Sequence, residues 1–445
     1  MRVRFWGTRG SVPTPGAATI RYGGNTSCVE VRTRDGALVV LDCGTGAISL
    51  GRTLLAETPD PIHGALLIGH THWDHIQGFP FFAPLFVPGN HFTVYGPDGL
   101  GRQIERALTG QMAYEHFPLP LAALRDQLRL VHLHEGRFEV GDIRVTTQYL
   151  NHPVFTLGYR LEADDATLVY ATDFEPFSLH PLAGKPGTMP LHPEDQRHIR
   201  FLEGADLVIH DAQYTLAEFP TKTGWGHMPI ERAVDYALLA GVPRLVLFHH
   251  DSVRDDEAVD HLLAGAQARA VAGGGGLQVV AAAEGQVIEL SSPLHETRVA
   301  GGLAPSALPT SVRRESRTVL LATVEPGQRQ EFSSALEAEG LRVLRASQGE
   351  AALQLARLEQ PSMVLLDRGL SGLDGLGVCR ALRAEPVSGL REVPIILLGE
   401  EKESESELLA AFAAGATDYV PGPVKATLLR SRVRVWLLRT TPDSA

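Results

Sequence analysis

The sequence has no run of about 18 apolar residues, the length that a membrane-spanning helix needs. Its start, MRVRFWGTRG, has neither the apolar stretch nor the cleavage site of a signal peptide. It has three cysteines, Cys28, Cys43 and Cys379, and no CxxC pair, so neither a cysteine-based zinc site nor a redox motif is expected. These absences predict a cytoplasmic protein with reduced thiols and no contact with a membrane.

Positive charge is also scarce. The chain has 40 Lys and Arg residues against 52 Asp and Glu residues, which gives a formal net charge of −12 at pH 7. Nucleic-acid binding generally leaves a basic footprint on a protein. The charge therefore weighs against a large nucleic acid as a partner, but not against a small anionic substrate.

The length predicts two domains, because 445 residues exceed the size of one ordinary domain. Residues 291–316 are rich in Ser, Pro, Gly and Ala and show no helical or strand periodicity, which is typical of a flexible linker. We therefore expect a first domain over residues 1–290 and a second over residues 317–440.

Short apolar runs that end in Asp or His recur through the first domain. Examples are ALVVLD, GALLIGH, TLVYATD, ADLVIHD and RLVLFHH. Strands that carry polar residues at their ends present a site on the edge loops of a sheet. Helical stretches lie between these runs, so the fold class is mixed α/β.

Four potential metal ligands lie within the hexapeptide HTHWDH at residues 70–75. On a loop after a strand, this spacing lets His70 and His72 reach one ion while Asp74 and His75 reach a second. Imidazole and carboxylate ligands suit Zn²⁺ or a similar transition metal.

This hexapeptide matches the HxHxDH motif, and residues 1–290 resemble the metallo-β-lactamase superfamily. The resemblance implies an αββα sandwich with two divalent ions, zinc or alternatively manganese, iron or nickel. It also implies Asp42 as an acid that holds the ligand loop without binding metal. The implied ligands are His70, His72 and His152 for the first ion, Asp74, His75 and His249 for the second, and Asp173 as a bridge. His250 remains an alternative to its neighbour as the last ligand.

Two further segments resemble the superfamily branch that contains ribonuclease Z and bacterial cyclic-nucleotide phosphodiesterases. They are the opening FWGTRGSVPTPG and the stretch GWGHMPIERAVDYA. The resemblance implies that His227 is the general acid and that Asp211 orients it, while Asp74 holds or deprotonates a metal-bridging water. Arg9 and Tyr214 are further candidates for contact with a phosphate.

The gap between His152 and Asp173 bears on the substrate. In ribonuclease Z a tRNA-binding arm lies between the corresponding residues, whereas here the gap has room only for a short strand hairpin. We therefore expect a dinuclear-metal phosphodiesterase that hydrolyses a small phosphodiester, in the first place a cyclic nucleotide. The alternatives are an RNA or tRNA 3′-processing nuclease and a non-catalytic signalling scaffold. We expect the insertion at residues 178–198 to cover a small pocket or join a neighbouring subunit.

The second domain alternates strands and helices in the order of a doubly wound (βα)5 fold. Its stretch PSMVLLDRGLSGLDGL resembles the phosphoacceptor strand and loop of response-regulator receiver domains, and the resemblance places Asp367 at the acceptor position.

The rest of the receiver chemistry is missing from the sequence. The acidic pair expected after the first strand is replaced by Thr323 and Val324, the switch Ser or Thr by Gly399, and the lysine by Gly422. Without these groups, Mg²⁺ and the phosphoryl charge have few partners. We therefore expect a pseudo-receiver with a degenerate phosphoacceptor, which docks a protein partner or forms a homodimer.

Overall fold

The structure is a computed structural model of the chain, and it describes residues 1–58, 61–99, 101–178, 192–274, 276–290, 317–399 and 405–439. The chain divides into two compact units, Met1–Ala307 and Leu308–Ala445. The predicted linker, residues 291–316, and most of the insertion at residues 178–198 lie outside the described residues. No helix within the described ranges is long and apolar enough to cross a membrane.

The N-terminal unit contains two seven-stranded sheets. The first sheet consists, in chain order, of Arg2–Gly7 (β1), Cys28–Arg32 (β2), Leu38–Leu41 (β3), His63–Leu67 (β4), His91–Pro97 (β5), Leu128–Leu133 (β6) and Val287–Glu289 (β14). The second consists of Gly136–Val140 (β7), Ile143–Leu150 (β8), Thr156–Ala163 (β9), Ala166–Ala171 (β10), Leu207–Asp211 (β11), Arg244–Phe248 (β12) and Gln278–Ala281 (β13).

Each sheet is parallel in one half and antiparallel in the other. The strand orders are β14-β1-β2-β3-β4-β5-β6 and β13-β12-β11-β10-β9-β8-β7. Strands β3 to β6 are parallel, as are β10 to β13. Because parallel strands run in one direction, the polar residues that follow them gather at one edge of each sheet.

The two sheets face each other, and helices cover their outer faces. Phe5 of β1 contacts Phe248 of β12 across the interface, and the Tyr159 hydroxyl donates to the carbonyl of Ile68. The unit's helices are Gly46–Glu57 (α1), Trp73–Ile76 (α2), Gln103–Gln111 (α3), Pro193–Leu202 (α4), Phe219–Lys222 (α5), Ile230–Leu239 (α6) and Asp256–Ala272 (α7). Short 3-10 helices lie at Ala17–Thr19, Phe79–Phe81, Ala83–Phe86 and Leu121–Leu124. Helix α1 packs on β1 and β2, while α6 packs on β11 and β12, which confirms the predicted αββα sandwich.

Burial on both faces explains why the central strands are continuous apolar runs. All four residues of β3, LVVL, are buried, with one side of the sheet against α1 and the other against the second sheet. On the α1 side, Leu38, Val40 and Leu66 pack with Leu50 and Leu54 of the helix.

The C-terminal unit is a five-stranded parallel sheet with the order β16-β15-β17-β18-β19. Its strands are Thr318–Ala322 (β15), Arg342–Ala346 (β16), Met363–Asp367 (β17), Ile395–Leu398 (β18) and Asp418–Val420 (β19). Its helices are Pro326–Glu337 (α8), Gly349–Glu359 (α9), Gly375–Arg383 (α10), Ser388–Arg391 (α11), Glu405–Ala413 (α12) and Ala426–Arg439 (α13). The second strand lies outside the first and the third beside it, which is the doubly wound arrangement predicted from the sequence.

Candidate metal centre

The candidate site is built from residues that follow buried strands of the N-terminal unit. Five such strands end at, or within three residues of, a polar residue that was predicted to belong to the site. The residues are Asp42 after β3, His70 after β4, Asp173 after β10, Asp211 at the end of β11 and His249 after β12. All five are buried, so the site lies within the fold and not on an open surface.

Three of these residues have a left-handed backbone. The φ angle is 59° at Asp42, 59° at Asp173 and 61° at His249. Asp and His adopt this region more readily than most residues other than glycine, although it still carries strain of about 1 kcal/mol or more. The chain turns sharply at these positions while keeping the side chain that the site needs.

One group of ligand atoms comes from His70, His72 and His152. The Nε2 atom of His152 lies 3.1 Å from Nδ1 of His72, and ligand atoms of all three residues lie within 4.8 Å of one another. Oδ1 of Asp173 lies 3.7 Å from Nε2 of His70 and 3.8 Å from Nε2 of His152. These four side chains surround a position where one divalent cation fits.

A second group comes from Asp74, His75 and His249. Oδ2 of Asp74 lies 3.0 Å from Nε2 of His249 and 3.3 Å from Nε2 of His75. Oδ2 of Asp173 lies 3.1 Å from Nε2 of His75 and 3.5 Å from Nε2 of His249. Asp173 therefore turns one carboxylate oxygen to each group, which is the arrangement of a bridging ligand.

The electrostatics of the pocket suit bound cations. Burial lowers the pKa of His75, but the carboxylates of Asp173, Asp74 and Asp42 outweigh it and raise that pKa well above its ordinary value. Burial raises the pKa of Asp173, yet the imidazoles around it hold that pKa well below its usual range. The pocket thus stabilises positive charge beside these carboxylates, which a divalent ion would supply.

His70 gives a further test of the fit. Both of its ring nitrogens are buried, and neither has a hydrogen-bond partner. Burial lowers the pKa of His70 well below its ordinary value, so the ring is neutral, as a metal ligand must be. A buried nitrogen without a partner costs free energy, and a metal ion near Nε2 would provide the missing partner. The residues therefore fit a two-ion site.

Asp42 forms hydrogen bonds to the loop that carries the candidate ligands His70, His72, Asp74 and His75. Its Oδ1 accepts from the amide of Gly69 at 2.7 Å, and its Oδ2 lies 2.7 Å from Nδ1 of His75 and accepts from the Tyr170 hydroxyl at 2.6 Å. A proton on Nδ1 leaves Nε2 of His75 free for a metal. This geometry agrees with a role in orienting a ligand.

His227 lies beside the cluster and pairs with Asp211. The Nδ1 atom of His227 lies 2.9 Å from Oδ2 of Asp211 and 3.6 Å from Oδ1 of Asp173. Burial lowers the pKa of His227, but the nearby carboxylates, Asp211 first, outweigh it and raise the pKa to about 9. The hydrogen bond at Nδ1 leaves Nε2 available to a substrate.

The adjacent residues His249 and His250 have different partners. Nε2 of His249 belongs to the second ligand group, whereas Nε2 of His250 donates to the backbone carbonyl of Ala282 at 2.9 Å. Successive side chains at the end of a strand point to opposite faces, so only the first of the two faces the other ligands.

Arg9 and Tyr214 have different environments. The guanidinium of Arg9 is fully buried and donates to the carbonyls of Gly23 and Arg254. Arg9 thus ties loops together, and its contact with a phosphate stays a prediction. The ring of Tyr214 lies 5.7 Å from the ring of His227, so Tyr214 does border the site.

Glu175 is a further buried residue of the site that was not predicted from the sequence. Its buried carboxylate accepts from the amide of Gly224 at 2.9 Å and from the amide of Gly226 at 2.7 Å. Its own amide donates to the carbonyl of Asn151 at 2.9 Å. The carbonyl of Gly226 in turn accepts from Nδ1 of His152 at 2.8 Å. Glu175 thus joins the loop of His152 to the loop of His227, and its position two residues after Asp173 is the one signal the sequence offers.

In the C-terminal unit, Asp367 lies at the end of β17, as the sequence predicted. Its Oδ2 accepts from the backbone amide of Val324 at 2.7 Å. Thr323, at the other position of the missing acidic pair, is fully buried, and its hydroxyl oxygen has no hydrogen-bond partner. A backbone amide and a hydroxyl therefore stand where two carboxylates would be needed to hold Mg²⁺.

Comparisons with known proteins assign both units. Residues 38–250 match the family model described as Beta-lactamase superfamily domain, and residues 319–434 match Response regulator receiver domain. Ribonuclease BN of Proteus mirabilis is 25% identical over 299 residues, covering 59% of this chain and 93% of that protein.

The C-terminal unit matches response regulators over part of their length. Response regulator MprA of Mycolicibacterium vanbaalenii is 37% identical over 125 residues, which cover 28% of this chain. The chain spans about half the length of such relatives, 52% in this case.

Among solved structures, the metallo-beta-lactamase fold protein YhfI of Bacillus subtilis is 22% identical, with a TM-score of 0.46, and the alignment covers 65% of this chain and 99% of that one. The chain therefore combines a beta-lactamase superfamily domain, matched over residues 38–250, with a response regulator receiver domain, matched over residues 319–434.

Proposed function

We propose that the N-terminal unit hydrolyses a small phosphodiester, in the first place a cyclic nucleotide. The observation that carries the proposal is the hydrogen-bonded pair of His227 and Asp211 directly beside the two ligand groups. An imidazole held in this way can donate a proton to a leaving oxygen or stabilise charge on a phosphorus centre. A site that needed only to bind ions would not require this pair.

The ligand set favours zinc, since imidazole nitrogens predominate and carboxylates complete it. Manganese, iron and nickel accept the same ligands. The ligands of the two proposed ions are His70, His72, Asp74, His75, His152, Asp173 and His249. Two such ions, when bound, supply an activated water and neutralise phosphate charge.

Within this site we assign Asp74 the task of holding the water and accepting its proton. Oδ2 of Asp74 accepts from the backbone amide of Ser11 at 2.7 Å, which fixes the carboxylate relative to the cluster. Asp211 keeps the proton of His227 on Nδ1, so Nε2 is directed to the substrate. The proton acceptor, Asp74, and the proton donor, His227, are then separate side chains. Hydrolysis at one phosphorus needs both, because the attacking water loses a proton while the leaving oxygen gains one.

The connection between His152 and Asp173 supports a small substrate. It consists of a short loop followed by the hairpin β9–β10, whose strands are eight and six residues long. No arm for gripping a folded RNA projects from this part of the chain. The net charge of −12 also disfavours extended contact with a polyanion.

A second candidate is a nuclease acting on RNA 3′ ends. Its support is the similarity to Ribonuclease BN of Proteus mirabilis, which covers 93% of that protein. A non-catalytic scaffold is a weaker third alternative, because the complete ligand set gives no sign of lost catalysis.

A substrate panel tests the proposal. The purified, metal-loaded protein is incubated with cyclic AMP, cyclic GMP, the pyrimidine cyclic nucleotides, cyclic dinucleotides and a precursor tRNA. We expect hydrolysis of cyclic nucleotides that disappears in His227→Asn. Cleavage of the precursor tRNA alone would overturn the cyclic-nucleotide proposal in favour of the second candidate.

For the C-terminal unit we propose a docking role. The receiver fold favours contact with a protein partner, and that partner can be a second copy of this chain. The backbone amide of Val324, which donates to Asp367, and the hydroxyl of Thr323 support a pseudo-receiver that signals by contact instead of by phosphorylation.

A further inference from the structure

A cation and two aromatic rings form a cluster beside the metal centre that the proposed mechanism does not use. Nζ of Lys222 lies 4.2 Å from the centre of the Trp225 ring and 5.5 Å from the centre of the Tyr214 ring. The backbone amide of Trp225 donates to the carbonyl of Lys222 at 3.0 Å. This turn brings the ammonium and the indole together, so the pairing is built into the local backbone.

The cluster is continuous with the candidate catalytic site. The Tyr214 ring lies 5.7 Å from the ring of His227, and Trp225 is separated from His227 in the chain by Gly226 alone. A side chain at Gly226 could not be accommodated, because a Cβ there would lie 2.1 Å from Nδ1 of His152. The segment that carries Trp225 is therefore pressed directly against a metal ligand.

The same segment is held rigidly while its indole stays exposed. Glu175 accepts from the amides on both sides of Trp225, at Gly224 and Gly226. The side chain of Trp225 is nevertheless 54% exposed. An exposed indole on a backbone that is held in place next to a buried site is available to stack on a flat ligand group without further ordering of the main chain.

Lys222 also has no counter-ion among the described residues. No carboxylate of those residues forms an ion pair with Nζ, although the nearby Glu218 pairs with Arg254. Its ammonium lies over the exposed Trp225, outside the buried ligand groups. It can therefore pair with an anionic group other than the phosphate that would be hydrolysed at the metal centre.

We propose that Trp225 and Lys222 form a subsite for a nucleoside that carries a second phosphate. This inference rests on the proposed phosphodiesterase function and narrows its substrate. The indole stacks on the base, which is sequence-tolerant because every base has a π-face. Lys222 pairs with the phosphate that is not cleaved. Cyclic dinucleotides and short linear dinucleotides have both features, whereas a cyclic mononucleotide has only the base.

A series of three chromogenic esters separates these contributions. The substrates are methyl p-nitrophenyl phosphate, thymidine 3′-(p-nitrophenyl phosphate) and the 5′-phosphorylated form of the latter. Their leaving group is the same, and they differ by the nucleoside and then by the second phosphate. The value of kcat/KM is measured for the wild-type full-length protein and for variants with unchanged metal content and circular dichroism.

We expect Trp225→Ala to lower kcat/KM for both thymidine esters by about tenfold and to leave the methyl ester unchanged. Lys222→Met should lower it by about threefold for the 5′-phosphorylated ester alone, and less at high salt. Trp225→Phe and Lys222→Arg should retain most of the wild-type values. Lys425→Met removes the same charge from the C-terminal unit and should change nothing.

The outcomes distinguish the inference from the function on which it rests. If the wild-type protein hydrolyses all three esters and the variants lose the same factor on each, the subsite is overturned and the phosphodiesterase proposal stands. If the wild-type protein hydrolyses none of them, both are overturned. Both the subsite and the phosphodiesterase function are supported if Trp225→Ala lowers kcat/KM only for the esters that carry the base. Lys222→Met must likewise lower it only for the ester that carries the second phosphate.

Discussion

Glu175 offers the sharpest test of how the candidate site is held together. Its carboxylate accepts two backbone amide protons, from Gly224 at 2.9 Å and from Gly226 at 2.7 Å, in a buried position. Hydrogen bonds to a charged acceptor contribute about 1.5–3 kcal/mol each. Glu175→Ala would remove both and leave two buried amides without partners, so we expect a loss of roughly 3–5 kcal/mol in the free energy of unfolding.

Glu175→Gln is the more informative variant, because it keeps the shape and one acceptor oxygen. We expect it to lower the free energy of unfolding by about 1–2 kcal/mol and to remain folded. The loop that carries His227 should shift, and misplacement of a reacting group by about 1 Å lowers the rate on the order of a hundredfold. The loss should fall mainly on kcat, since the metal ligands themselves are intact.

Asp195 provides a matched control. It is also fully buried, and its carboxylate accepts from the amides of Phe177 and Ser178 at 2.8 and 2.7 Å. Asp195→Asn should therefore destabilise the unit by a similar amount while the hydrogen bonds from Glu175 to the segment that carries His227 stay in place. Urea unfolding, metal content and the kinetics of phosphodiester hydrolysis are measured for both variants. Wild-type kcat in folded Glu175→Gln, or an equal loss in Asp195→Asn, would refute a positioning role.

Three other predictions concern the remaining side chains. Replacing His72 with Ala or Asp74 with Asn should lower the metal content from about two ions per chain to one or fewer, as measured by elemental analysis; unchanged content would contradict the ligand assignment. His249→Ala should do the same, whereas His250→Ala should retain both ions, because only the first faces the cluster. Incubation with acetyl phosphate and Mg²⁺ should give no stoichiometric labelling of Asp367, and stoichiometric labelling would disprove the pseudo-receiver.

Most of the candidate ligands could be predicted from a local pattern, whereas His152 was predicted only through the resemblance to the superfamily. HTHWDH is a compact motif, and Asp173 ends an apolar run that reads as a buried strand. The choice between His249 and His250 could not be made in this way. Both follow the same strand, and which one faces the cluster depends on the twist and register of β12 in the sheet. That information is not local to the sequence.

Glu175, Lys222 and Trp225 carry no such pattern. The partners of Glu175 are backbone amides about fifty residues further along the chain, and a backbone amide has no sequence signature. Lys222 and Trp225 are three residues apart in a turn, which by itself indicates nothing about a site. Their relation to His227 appears only when the loop after α5 is bound to Glu175 and lies against His152. Contacts of this kind are a property of the fold and could not be read from residue types.

The left-handed conformations at Asp42, Asp173 and His249 connect the fold to the chemistry. Glycine would relieve the strain at each position but would remove a candidate ligand or the residue that supports one, so keeping these side chains costs backbone energy. Such strain persists only where surrounding contacts fix the residue. Asp42 has three hydrogen bonds, and His249 packs so closely that a Cβ at Gly10 would lie 2.4 Å from its Nδ1. These contacts fix the positions of the candidate ligands within the packed sheets, and a preorganised site lowers the reorganisation that ion binding would require.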